Sequence, residues 1–88
     1  MNSAEQCSAV CRWLQSKTKI KTINGKWSSY GLKHLAEDEI GYVTNGAFIR
    51  AAIHSGFAYR LSPSNPNVEF NISEKSLKAV RGPHWVGG

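Results

Sequence analysis

Long apolar runs, cysteines and acidic residues are all scarce in this chain, and each scarcity closes off a class of function. No stretch approaches the roughly 18 apolar residues of a membrane span, so no membrane-embedded role is expected. Met1 leads into a polar, helix-capping segment rather than an apolar signal core, which points to the cytoplasm. Only two cysteines are present, Cys7 and Cys11. Four apart on a helix, they rarely reach disulfide geometry. The histidines, His34, His54 and His84, are scattered singly rather than set at zinc-ligand spacing. The two thiols therefore read as small apolar residues on a buried helix face, and no metal or other cofactor is expected.

Catalytic signatures are missing too. No serine sits in a G-x-S-x-G elbow, no histidine lies beside a cysteine, and no glycine-rich phosphate loop occurs. Thr44-Asn45-Gly46 is a single capped turn. Without a convergent set of groups, the chain reads as a non-enzyme.

What is present is positive charge and aromatic bulk. Eleven Lys and Arg against six Asp and Glu give a formal charge of +5, and the sequence pI is about 9.5. That balance favours an anionic partner. Three Trp, three Tyr and three Phe supply enough apolar surface for one modest core in 88 residues. Residues 1–82 read as a single small globular domain, and 83–88 as a flexible tail.

Ser3 and Gln6 form a capping-box pattern, and Cys7, Val10, Cys11 and Leu14 follow on one helical face. The first helix is expected from Ala4 to Gln15, with Arg12 and Gln15 outward and Trp13 partly buried. Lys17 to Lys26 carries four lysines and no acid. It reads as a short strand entering a turn at Asn24-Gly25, as a phosphate-contacting arm, or as a solvated linker. Trp27 is placed to staple onto Leu32 behind a Ser28 cap. Leu32, Leu35, Ala36 and Ile40 then stripe a helix from Ser29 to Glu39, weakened by Gly31 and stopped by Gly41. Glu37, Asp38 and Glu39 point in different directions, so they read as a solvated helix end rather than a metal site.

Thr44 caps the next helix, with Phe48, Ile49, Ala52 and Ile53 on one face and Ala51 beside it. Gly56 marks its stop. Asn45, Arg50 and His54 are assigned to the opposite, polar face. Phe57, Tyr59 and Leu61 alternate with Ala58 and Arg60, and Val68, Phe70 and Ile72 alternate with Glu69 and Asn71. Between them, 62–67 is built of turn formers, so the pair reads as an antiparallel hairpin. Ser73 caps a last short helix holding Leu77 and Val80, with Lys75, Lys78 and Arg81 exposed.

This order predicts an α+β fold: three to four short helices with a two-stranded antiparallel hairpin, winged helix-turn-helix-like. Two features fit poorly. The turn from Asp38 to Thr44 is long for a helix-turn-helix, and the groove-reading helix holds one Arg with no Lys or Gln. The expected function is binding of nucleic acid, duplex DNA above all, by a monomer or homodimer. Lys17, Lys19, Lys21 and Lys26 would contact phosphates, and Asn45 and Arg50 would contact bases. His54 and Arg60 complete the interface. The alternative is docking on a host protein complex through Trp13, Tyr30, Tyr42, Trp85 and the acidic trio.

Three segments, Ser28-Ser29-Tyr30-Gly31-Leu32-Lys33-His34-Leu35-Ala36-Glu37, Tyr42-Val43-Thr44-Asn45-Gly46-Ala47-Phe48-Ile49 and Pro66-Asn67-Val68-Glu69-Phe70-Asn71-Ile72-Ser73, carry a resemblance across about the middle half of the chain. They resemble small proteins carried by phages, plasmids and integrative elements of proteobacteria. That resemblance implies a mobile-element origin. It also implies one of two trades: regulating the element's own DNA, or blocking a host defence complex such as a restriction or CRISPR effector.

Overall fold

Local capping sets where the helices begin. Asn2, not Ser3, caps the first one: its side chain accepts from the Glu5 amide at 2.8 Å while Glu5 accepts from the Asn2 amide at 3.0 Å. The box is thus shifted one residue from the Ser3/Gln6 expectation, and α1 spans Ser3–Leu14. Ser28 and Thr44 cap the next two helices as expected, accepting from Gly31 and Ala47. These are α2 (Ser29–Ile40) and α3 (Asn45–His54). Gly41 ends α2 at φ 89°, a left-handed conformation that favours glycine.

The computed structural model describes residues 2–63 and 66–79. Among these the fold is α+β, with four helices and a two-stranded antiparallel hairpin. The strands are β1 (Tyr59–Leu61) and β2 (Val68–Phe70), and α4 spans Glu74–Ala79. The strands are shorter than the alternation suggested, and Phe57 and Ile72, both buried, lie outside the β1–β2 ladder. The register pairs Tyr59 with Phe70, Arg60 with Glu69, and Leu61 with Val68. Expectations about Val80, Arg81 and the 83–88 tail fall outside the described residues.

The core centres on Phe48, whose ring meets Trp13 and Phe70 edge-on, each at 6.2 Å between centroids. Val10, Leu14, Leu32, Val43, Phe57, Ile72 and Leu77 close around it. Trp13 is buried, not partly exposed. Trp27 lies against Gly31, where an added Cβ would stand 3.3 Å from its ring. The glycine that weakens α2 thus makes room for an indole, whose N–H donates to Glu74 at 2.9 Å.

Small residues govern how α1 meets α3. The Cys7 and Cys11 thiols donate to the carbonyls of Ala47 and Ala51, at 3.6 and 3.8 Å. The matched offset shows that the two helices run in the same direction. Both thiols are half-buried. This close approach rotates α3 from its expected setting. Ala47, Phe48, Ala51 and Ala52 face inward, whereas Ile49 is half-buried and Ile53 is 41% exposed.

Two buried polar groups stitch the layers together. Ser29 Oγ, fully buried, accepts from the Val68 amide at 3.0 Å and so ties α2 to β2. Gln6 Oε1 accepts from the Thr44 amide at 2.9 Å, holding the start of α3 against α1.

Candidate nucleic-acid interface

The basic segment after α1 is neither a free arm nor a loose linker. It runs antiparallel along the edge of β2 that β1 leaves open, with isolated bridges pairing Lys19 with Ile72 and Ser28 with Glu69. The Ile20 amide donates to Asn71 O at 2.9 Å, and the Ser73 amide to Thr18 O at 2.8 Å. Asn71 Nδ2 returns a bond to Ile20 O at 2.9 Å. Asn24 is the second anchor: its amide donates to Phe70 O at 2.9 Å and its Nδ2 to Ile72 O at 3.1 Å. Asn24 and Trp27 also donate to Glu74. The Asn24 bond foremost, opposed by burial and reinforced by Trp27 and the nearby Lys26 and Lys78, holds the Glu74 carboxyl below its ordinary value.

The four lysines of this segment have different fates. Lys17 is buried, its ammonium 4.3 Å from the centre of the Trp13 ring and donating to Ser16 Oγ at 2.8 Å. Burial lowers its pKa against the opposing pull of Glu39. The ammonium of Lys19 lies over Phe57 at 4.8 Å, beside Gly56 at the end of α3, with its residue still exposed. Lys21 and Lys26 are exposed and form no ion pair among the described residues. Arg60 joins them. Its Nε donates to Glu69 at 2.8 Å, and its guanidinium runs close against Gly25, where a Cβ would sit 3.2 Å from Nη2. Lys26 and Arg60 therefore belong to one surface, on the side of the sheet away from the core.

Lys17 was expected among the phosphate contacts, but the structure turns it onto Trp13. Replacing it with methionine keeps the apolar stem and removes a desolvated charge. Lys17→Met is expected to change stability by less than about 1 kcal/mol and to leave affinity for duplex DNA as it was. Thermal denaturation and a binding titration check both halves.

The residues of α3 do not form the single polar face expected from the sequence. Nine residues at 3.6 per turn separate Asn45 from His54, which puts them on opposite sides of the helix. Asn45 turns to the hairpin and donates to Asn67 Oδ1 at 3.0 Å. Arg50 reaches the start of α1, donating to Ser3 Oγ at 3.3 Å. Together with exposed His54 it lines a shallow groove of about 670 Å³ between α1 and α3, floored by Cys7 and Cys11. The outward strip of α3 between these edges carries Gly46, Ile49 and Ile53.

Sequence reasoning missed a polar knot at the end of α2. Glu37 accepts from Lys33 Nζ at 3.2 Å and from the Val43 amide at 3.1 Å, and its other oxygen lies 3.0 Å from His34 Nδ1. Burial opposes its ionisation, but the Val43 amide, Lys33 and His34 outweigh it and hold the carboxyl below its ordinary value. Glu37 is thus an internal hub, not part of a solvated end, while Asp38 and Glu39 are exposed. The Lys33 ammonium lies 5.3 Å from the centre of the Tyr30 ring and 5.2 Å from that of Tyr42. His34 meets Tyr30 edge-on at 4.4 Å. Tyr30 and Tyr42 remain 52% and 67% exposed. The i, i+4 spacing of Lys33 and Glu37 was the readable signal for this knot.

Among the described residues no group of three or more His, Cys, Asp or Glu could hold a metal ion, and no helix is long and apolar enough to cross a membrane. Comparison with protein-family models, curated proteins and solved structures finds no match.

Proposed function

We propose that this chain is a small non-enzymatic nucleic-acid-binding protein of a mobile element, winged-helix-like in arrangement. It grips duplex DNA chiefly by its phosphates. The observation that carries this reading is the fastening of 18–28 onto β2. It ties the segment between the first two helices to the sheet through isolated bridges and backbone bonds at Thr18, Ile20 and Asn24, and it carries exposed Lys21 and Lys26 along that side. Lys19 and Arg60 extend the positive surface across the same sheet. Asn45 lies on one side of α3 and Arg50 with His54 on the other, so base reading is weak and affinity depends little on sequence. Titrating a labelled short duplex at low salt tests this, and undetectable binding ends it.

A second reading, docking on a host defence complex, is favoured by the aromatic platform on α2. Tyr30 and Tyr42 are exposed yet held around one ammonium, so their ordering entropy is already spent before a partner arrives. Trp13 is buried and drops out of that surface, and Trp85 lies outside the described residues. On this reading, Tyr42→Ser weakens capture of a stoichiometric partner from nuclease-treated lysate by about tenfold or more, with duplex binding unchanged. Equal capture by the variant counts against docking.

A further inference from the structure

The groove between α1 and α3 holds a feature that nucleic-acid binding leaves unused: two free thiols, one helical turn apart, opening onto one cleft. We infer that Cys7 and Cys11 form a two-coordinate site for a monovalent soft metal ion of the copper(I) class. Both residues are half-buried on the floor of a shallow groove, so an ion reaches them without either helix opening.

Their acceptors fix where the sulfurs stand. Cys7 Sγ lies 3.6 Å from Ala47 O and Cys11 Sγ 3.8 Å from Ala51 O, and those carbonyls are one turn apart on α3. The two sulfurs are therefore separated by about one pitch, roughly 5.4 Å, on the same side of α1. A disulfide needs Cβ atoms about 3.8 Å apart, and a helix holds i and i+4 at about 5–6 Å. A metal ion between two thiolates spans more. At about 2.3 Å per bond, a linear arrangement sets the sulfurs about 4.6 Å apart. Closing the remaining gap of about 1 Å takes side-chain rotation alone. The thiols give up little in turning, because their S–H bonds are long and weak. The Ala51 carbonyl keeps the Ser55 amide as a donor at 2.9 Å.

The ligand set selects the ion. Thiolate sulfur is soft and prefers copper(I) to hard cations. Among the described residues no group of three or more Cys, His, Asp or Glu forms, so the four ligands that structural zinc requires are not assembled here. A monovalent d10 ion accepts two ligands in a line. The spacing that argued against zinc and against a disulfide thus suits this ion. Charge agrees with the choice. One ion displaces two thiol protons, no electron changes hands, and the resulting bis-thiolate complex carries a single negative charge. Arg50, permanently charged, lines the same groove with His54, and no acidic residue does.

The site stands apart from the lysine edge, so it fails separately from duplex binding. The test is titration of the reduced full chain with copper(I), buffered by a competing coloured chelator and free of other thiols. One ion should bind per chain, with two protons released per ion and sedimentation of the chain unchanged. Cys7→Ala and Cys11→Ala should each weaken binding at least about a hundredfold, because the second bond is then no longer intramolecular. Zinc(II) should not displace the copper. Proton release is read on the wild type alone, so it decides the matter even if a cysteine variant misfolds. A single proton per ion means a single thiolate and overturns the proposal. So does binding that survives either cysteine substitution, copper that bridges two chains, displacement by zinc(II), or no uptake at all.

Discussion

Replacing Glu37 with alanine is expected to destabilise the domain by about 3 kcal/mol, because it strands a buried ammonium and a backbone amide at once. The Glu37 and Lys33 side chains are 17% and 9% exposed, so little solvent reaches the pair to compensate. For a domain of this size that is on the order of 15 °C in Tm, readable by calorimetry or circular dichroism. Glu37→Gln keeps an acceptor for the Val43 amide but loses the charge facing Lys33, so it should fall between wild type and alanine. Equal stability of all three would show that the knot is ornamental. The pH dependence has a definite sign. A carboxyl held below its ordinary value of 4.5 stabilises the fold above that pH, and the contribution drains away as pH falls through the lowered value. Glu74 acts in the same direction. Acid unfolding of the wild type should therefore be steeper below pH 4.5 than that of Glu37→Gln.

Reversing Lys21 and Lys26 to glutamate is expected to lower duplex affinity by about tenfold for each residue at low salt, and similarly for every sequence tried. Each phosphate contact contributes roughly 0.9 to the slope of log affinity against log salt, so the double alanine variant should flatten that slope by about two. Both side chains are exposed and unpaired among the described residues. The Lys21 variants should keep stability within about 0.5 kcal/mol, and because Lys26 also faces the Glu74 carboxyl, thermal denaturation of each variant separates lost binding from lost folding. An unchanged slope would mean that the phosphates are held elsewhere.

The same residues show why part of this was readable in advance. Ser28, Thr44, Gly41 and the turn-rich 62–67 bound their elements because caps and breakers act through adjacent backbone, which a sequence displays directly. The setting of α3 was not readable. Ranking residues by hydrophobicity puts isoleucine inside, but Ala47 and Ala51 win the interior because only small side chains let α3 approach the thiols of α1. Lys17 misled for a related reason: its long apolar stem lets it settle against the Trp13 ring while counting as a surface charge. Lys alternates with Thr and Ile at the start of the 18–28 segment, which made a strand one of its three readings but did not choose among them. Its pairing with β2 is interrupted and leans on the side chains of Asn24 and Asn71, which no period-two pattern encodes. Glu37 was half-legible: its spacing from Lys33 and His34 is visible in sequence, but the Val43 amide joins it only through the turn after Gly41.

Titration of the isotopically labelled full chain with a short duplex at low salt tests the central claim most directly, since amide shifts locate the bound surface. A stitched, positive sheet edge that holds phosphates should move Lys21, Gly25, Lys26 and Arg60, with the groove between α1 and α3 quiet. Shifts confined to that groove or to Tyr30 and Tyr42, with Lys21 and Lys26 unmoved, would contradict it.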